Sequence, residues 1–317
     1  MMRFVFFAVT IAVAAVQAVT LDGVDASRVL VWEGVDNARD LGGLTTVDGR
    51  TVKRGMIFRS QAFNDNAISD WLGGNDMFMA KSGQDRLVRK VVNGEIFSEF
   101  GRKNAEELLA RIDRNDLTAS CMRVAADLRA SKVNWRKGTL RGTEASRRRI
   151  LRETGLKTEI DLRTASECWG MEGSPLGPEV KWINIPAANI VQLATPIGRE
   201  AFTRCFRLFL DERNYPIDFH CIAGADRTGA LAFLIEAALG VREEEIERDY
   251  VLTSLFNITP RPAGKFRRMT DEMFSSYPGK TLSEKAIAYI KTCGFTDEDL
   301  THLRALLLEE AKQKPSK

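Results

Sequence analysis

The sequence predicts an α/β fold, with a central, mostly parallel sheet flanked by helices. Three observations predict it. From residue 138 onward, short apolar runs alternate with longer amphipathic segments. Gly155, Pro186 and Gly240 punctuate the joins between them. The segment "TGALAFLIEAALG" is apolar on nearly every face, as a buried helix must be.

Taken in order, "VWEGVDNARDLGGL" and "GRTVKRGMIFRS" read as short extended segments, with turn signals at Gly42-Gly43 and Asp48-Gly49. From Asn66 to about Lys137 the chain becomes polar and helix-prone. There "NAEELLARIDRNDLTASCMRVAADLRA" predicts one or two amphipathic helices, so residues 67–137 are expected to be a helical insertion. "RGTEASRRRILRETGLKTEIDLRT" predicts a helix capped by Thr143, a turn at Gly155 and the strand "TEIDL". "PEVKWINIP" is a second strand stopped by Pro186, "IGREAFTRCFRLFLDE" an amphipathic helix and "YPIDFH" a third strand. The apolar helix follows, stopped by Gly240. A helix from Glu243 to Asn257 is expected to bury Ile246, Tyr250 and Leu255 against the sheet. The rest, to Glu310, is mostly helical with a break at Pro260 to Gly264.

At 44% hydrophobic and 28% charged, the 317 residues belong with globular proteins rather than disordered ones. A net charge of +3, without a nucleic-acid motif, gives no reason to expect nucleic acid as a partner. The start, "MMRFVFFAVTIAVAAVQAVT", has one early Arg3, an apolar run and small residues before Ala18. That pattern is a secretory signal peptide over residues 1–18, shorter than the roughly 20 residues of a membrane span. Residues 19–317 are then one exported domain, periplasmic or secreted. A retained anchor is the lesser reading. The five cysteines are irregularly spaced and do not form a disulfide framework. Cys121, Cys205 and Cys293 lie on apolar stripes and read as core. Cys168 falls in a loop.

The remaining cysteine sits in "FHCIAGADRTGALAFLIEAALG". Cys221 is followed by five residues, then Arg227 and Thr228, between a strand and a helix. A tight loop at a helix N-terminus gathers backbone N–H groups, and the helix dipole adds positive potential there. Gly224 permits the turn, and Arg227 offers a planar two-pronged donor to an anion's oxygens. The same field should make Cys221 a thiolate nucleophile. Ile222, Ala223, Gly224, Ala225, Asp226 and Arg227 would line the anion. Thr228 could hydrogen-bond the sulfur, and His220 could brace the loop. A Walker loop does not fit, because Ala230 and Leu231 follow the second glycine. A metal site does not fit either: His220 and His302 are the only histidines and lack ligand spacing. No cofactor is called for.

"HCIAGADRTG" resembles the signature of the Cys-dependent protein tyrosine phosphatase superfamily. More narrowly, Asn37 to Gly43 ("NARDLGG") is similar to the NxRDLGG motif of the bacterial tyrosine-phosphatase-like family. "RGMIFRSQAFNDN", "TEIDLRTASE", "SPLGPEV" and "TLSEKAIAYIKTCGFTDEDL" share that resemblance, which covers roughly residues 31–65 and 138–310. It implies a tyrosine-phosphatase-like fold and hydrolysis of phosphomonoesters through a cysteinyl-phosphate. The substrates implied are of phosphotyrosine or phosphoprotein type. Phosphoinositides or inositol phosphates are the alternative, and an inactive phosphate-binding module the second. Many relatives carry Lys where this chain has Ala225, which leaves a less positive pocket.

Tyrosine phosphatases commonly place an acidic residue on a mobile loop. The counterpart here, "IPAANIVQLATPIG", has no Asp or Glu. That directs attention to Asp226 as general acid, or else as a loop-shaping partner of an arginine. Asp161 is the second candidate, its other role being an ion pair with Arg163 or Arg39. Arg39 and Arg59 are expected in structural ion pairs, with substrate contact as the lesser reading.

Overall fold

The computed structural model describes residues 25–65, 139–164, 167–168, 171, 173–256 and 260–310. The expected signal peptide (1–18), the helical insertion (67–137) and Cys121 lie outside the described residues.

The main sheet has five strands, in the spatial order Arg39–Asp40 (β1), Ile57–Gln61 (β2), Ile217–Cys221 (β7), Thr158–Asp161 (β5), Lys181–Asn184 (β6). β2, β7, β5 and β6 run parallel; only the short edge strand β1 is antiparallel. A separate antiparallel pair, β3 (Asn64–Asp65) and β4 (Thr139–Leu140), sets residues 64–65 beside 139–140.

The sheet is buried on both faces, and the period-2 pattern of β7 shows how. Ile217, Phe219 and Cys221 point into the larger apolar core, with Ile57 and Ile160 from the neighbouring strands. Asp218 and His220, also buried, point the other way. On that side a smaller core holds Trp32, Phe58, Phe63, Leu176 and Ile150. Ile150 comes from α1 (Glu144–Thr154), whose N-cap Thr143 accepts from the Ser146 N–H. Gly155 ends α1 in the left-handed conformation, at φ 61°.

The larger core is closed by α2 (Pro196–Phe209), α3 (Asp226–Leu239), α4 (Glu243–Leu252), α5 (Ala263–Phe274), α6 (Leu282–Thr292) and α7 (Asp297–Leu307). From Thr228 to Leu239 every residue of α3 is buried. It lies between the sheet and α4, α6 and α7. α4 departs from expectation. It stops at Leu252, a 3-10 turn spans Thr253–Leu255, and Leu255 is only half-buried. Ile246 and Tyr250 are buried, but against α3 and α5 rather than the sheet. The cause is α3, which already covers the strands and leaves α4 the next layer out. Among the described residues no helix is long and apolar enough to cross a membrane.

Candidate active site

The loop 222–225 joins the end of β7 to the start of α3, so strand pairing and helix burial fix both its ends. Gly224 has φ +65°, and a Cβ there would lie 2.6 Å from the Ser60 carbonyl carbon. The loop therefore rests directly on the end of β2, where only glycine fits. Its carbonyls are held from behind. Asn37 Nδ2 donates to the oxygens of Ala223 (3.1 Å) and Gly224 (2.9 Å). Arg59 Nη2 donates to Gly224 O at 2.9 Å. With the oxygens held at the rear, the N–H groups are free to converge on the open side.

The N–H groups of Ala225, in the loop, and of Thr228, in the first turn of α3, act on the Cys221 sulfur. Burial alone would raise the thiol's pKa. The Arg227 charge, the Thr228 hydroxyl and these N–H groups outweigh burial and lower it. The hydroxyl of Thr228 is buried and has no conventional hydrogen-bond partner, which leaves it to the sulfur. One residue back, His220 is fully buried. Its Nε2 lies 2.8 Å from Glu159 Oε1 and its Nδ1 3.2 Å from the Cys221 carbonyl oxygen. Burial opposes its charge, but Asp161 and Glu159 prevail and push it up to about 9. At neutral pH an imidazolium therefore donates from both nitrogens and braces the Cys221 backbone.

At the mouth, Arg227 forks onto Glu167, with Nη1 to Oε2 at 2.6 Å and Nη2 to Oε1 at 2.9 Å. Arg261 does the same to Asp226, at 3.1 and 2.9 Å. Asp226 is half-exposed and Arg261 nearly buried. Ile222 is the apolar, exposed member of the loop.

Behind the loop lies a second, buried cluster. Asp249 of α4 takes ion pairs from Arg28 (2.6 Å), Arg39 (2.9 Å) and Arg59 (2.7 Å). Despite its burial, Arg39, Arg59 and Arg28 hold the Asp249 carboxyl far below the usual range. Arg59 is lowered to about 10, by burial first and Arg39 second.

Residues 30–72 and 126–309 match the model of the tyrosine phosphatase family. The chain belongs to that family. No curated protein matches it. Membership makes it a Cys-dependent phosphatase enzyme, with a phosphorylated substrate, on the expected tyrosine-phosphatase-like α/β fold.

Within this tyrosine phosphatase the structure gathers Cys221, Arg227, Thr228, Asp226 and His220 at one strand end. It does not bring every named residue to the mouth. Asp161 is fully buried, and Arg163 forks onto both its oxygens, at 2.9 and 2.7 Å. Trp182 Nε1 and the Cys168 thiol also donate to it. Burial works against the charge, but His220 and Arg163 overcome it and hold this carboxyl well below the usual range. A buried carboxylate held ionised in this way braces the sheet and does not serve as a proton donor, which corrects its place as second candidate. Arg163 pairs inward in the same way. Arg39 and Arg59 are buried beneath the loop in ion pairs with Asp249, Arg59 also donating to Gly224 O and Arg39 to Asn37. Ala225 is buried, and its methyl leaves this place in the loop without a cation.

Glu159, Asp161 and His220 converge within 4.8 Å, a grouping that could hold a cation. Their atoms are already engaged, however, by Ser174 on Glu159, by Arg163 on Asp161 and by one another.

Sequence reasoning missed Asn37, Glu167, Asp249 and Arg261 as site residues. Asn37 and Glu167 sit inside quoted motifs, and Arg261 inside the Pro260–Gly264 break. Asp249 had one signal, an acidic residue on the stripe of Ile246 and Tyr250.

Proposed function

We propose that this phosphatase hydrolyses phosphomonoesters of phosphotyrosine or phosphoprotein type through a cysteinyl-phosphate, and that it works outside the cytoplasm after losing residues 1–18. The observation that carries this reading is the lowered Cys221 thiol at the floor of a loop whose N–H groups face it. The phosphoryl group binds the N–H groups of residues 222–227 and the Arg227 fork. The thiolate Sγ attacks phosphorus in line. The P–O bond to the leaving group breaks, and that oxygen takes a proton from Asp226. Asp226 then removes a proton from water, whose oxygen attacks phosphorus. The S–P bond breaks, phosphate leaves and the thiolate returns, helped by the Thr228 hydroxyl. The N–H groups and Arg227 hold the equatorial oxygens more tightly as charge develops. Arg261 fixes the direction of the Asp226 carboxyl. The absence of a lysine at position 225 favours phosphopeptides over highly anionic inositol phosphates.

The test is rapid-quench labelling with a 32P-phosphopeptide in EDTA. Wild type should trap label on Cys221, and Cys221→Ser should bind phosphate without turnover. Turnover by Cys221→Ser would sink the cysteinyl-phosphate. Faster turnover of inositol phosphates than of phosphopeptides at matched concentration would move the substrate class.

A further inference from the structure

We propose that Asp249 is the positioning residue of the phosphate loop. It is a buried carboxylate on a different helix that sets the direction of the loop's carbonyls through two arginines. Asp249 touches no part of the loop itself, and its action runs along two chains of contacts. In the first, Asp249 Oδ2 accepts from Arg59 Nη1 at 2.7 Å, and Arg59 Nη2 donates to Gly224 O at 2.9 Å. In the second, Asp249 Oδ1 accepts from Arg39 Nε at 2.9 Å, and its Oδ2 and backbone oxygen accept from Arg39 Nη2 at 3.0 and 2.8 Å. Arg39 Nη1 then donates to Asn37 Oδ1, which turns the Asn37 amide so that Nδ2 meets the carbonyls of Ala223 and Gly224. Asn37 is the one described non-glycine residue with positive φ, at 58°, so its backbone is also bent to this task.

Every link is out of solvent. Arg39, Arg59 and Asp249 are each at most 1% exposed. Such a chain has few alternative arrangements, so removing its hub should release the carbonyls and turn the N–H groups away from the sulfur.

The charges around that sulfur give a test in which the direction of the shift decides. The groups near it are Arg227 of α3, His220 of β7 and Arg59 of β2. Glu167 faces Arg227, Glu159 and Asp161 of β5 face His220, and Glu236 of α3 and Asp249 of α4 face Arg59. Deleting the negative charge of Asp249 would by itself draw the thiol's titration to lower pH. Loss of the aimed N–H groups would push it to higher pH. An upward shift therefore cannot come from the lost charge itself.

The proposal rests on the loop being the phosphate site, but the measurement does not need turnover. Cys221 is titrated by the pH dependence of iodoacetamide labelling, read by mass spectrometry at its own peptide. Asp249→Asn should move the midpoint up by about one pH unit, weaken tungstate binding and lower kcat at least tenfold. Asn37→Gly tolerates the φ of 58° and deletes only the side-chain bonds. It should shift the midpoint the same way, and it decides the matter if Asp249→Asn does not fold. Leu303→Ala, a core truncation in α7, should leave the midpoint in place. A downward or unchanged midpoint in the folded variants would overturn the proposal, as would an equal upward shift in Leu303→Ala. A wild type with a normal titration but no phosphatase turnover would instead refute the mechanism proposed above, and leave the positioning role standing.

Discussion

Two sets of ion pairs surround the same loop and differ in one property. Behind it, Arg28, Arg39 and Arg59 meet Asp249 with side chains at most 4% exposed. At its mouth, the Arg227–Glu167 pair is about one-fifth exposed, and Asp226 is half-exposed. Breaking the rear set leaves charges with no water to receive them, which costs roughly 3–5 kcal/mol. Mouth pairs are partly solvated, so water can receive their charges when they part and breaking them costs less. The rear set can therefore act as permanent scaffold. The mouth set is the one placed to open: in the proposed mechanism an arriving anion would replace Glu167 on Arg227.

The largest effect should come at the mouth and fall on rate alone. Arg227→Lys keeps the charge but loses the fork, so kcat/KM should drop on the order of 10³-fold while the urea midpoint holds. A stability loss of equal size would break the contrast. Next, Asp249→Asn should cost about 3–5 kcal/mol in urea unfolding, far more than any mouth substitution. Asp226→Asn should lower kcat by roughly 10²–10³ and remove the basic limb of the pH–rate profile. An intact bell would take the acid role away from Asp226.

A pH experiment probes the sheet under the loop. The folded pKa of His220 is raised, from 6.5 to about 9. Its contribution is therefore complete below pH 6.5 and is lost as pH rises through about 9. Asp218 is likewise raised, to about 7 by burial, so its own loss is largely over by then. Wild type should lose on the order of 2 kcal/mol between pH 7.5 and 9.5, and His220→Gln much less. Equal losses would remove the imidazolium from the loop's support. The smallest effect belongs to Glu167→Gln, which should change stability by less than about 1 kcal/mol and leave phosphate binding equal or tighter.

Local signals carried most of the fold. Thr143, Gly155 and Gly240 cap helices where their chemistry says they should, and the alternation of "YPIDFH" marks a two-faced strand. The loop from Cys221 to Arg227 was legible as a strand-to-helix turn because its parts are consecutive: cysteine, glycine, arginine and helix start lie within eight residues. Its supports were not, because each is distant in sequence. Asp249 meets Arg28 across 221 residues, and Arg227 meets Glu167 across 60. A charge on a helix says nothing of its partner until the sheet order brings the two together. The end of α4 escaped for a related reason: the apolar stripe shows which side is buried, not which layer covers it.

The β3–β4 pair has a consequence for the architecture of the gene product. Asn64 faces Leu140 and Asp65 faces Thr139, so the chain leaves the catalytic frame and returns to it at adjacent points. For a flexible connection, closure entropy grows only by about 0.6 kcal/mol per doubling of length. A splice joining Asp65 to Thr139 through a two-residue Asn-Gly turn would thus close an ordinary hairpin. The chain therefore crosses the border of the frame at one place, and a change of length between the two crossings, for instance in residues 73–125, which fall outside the family match, would not re-register a strand of the main sheet.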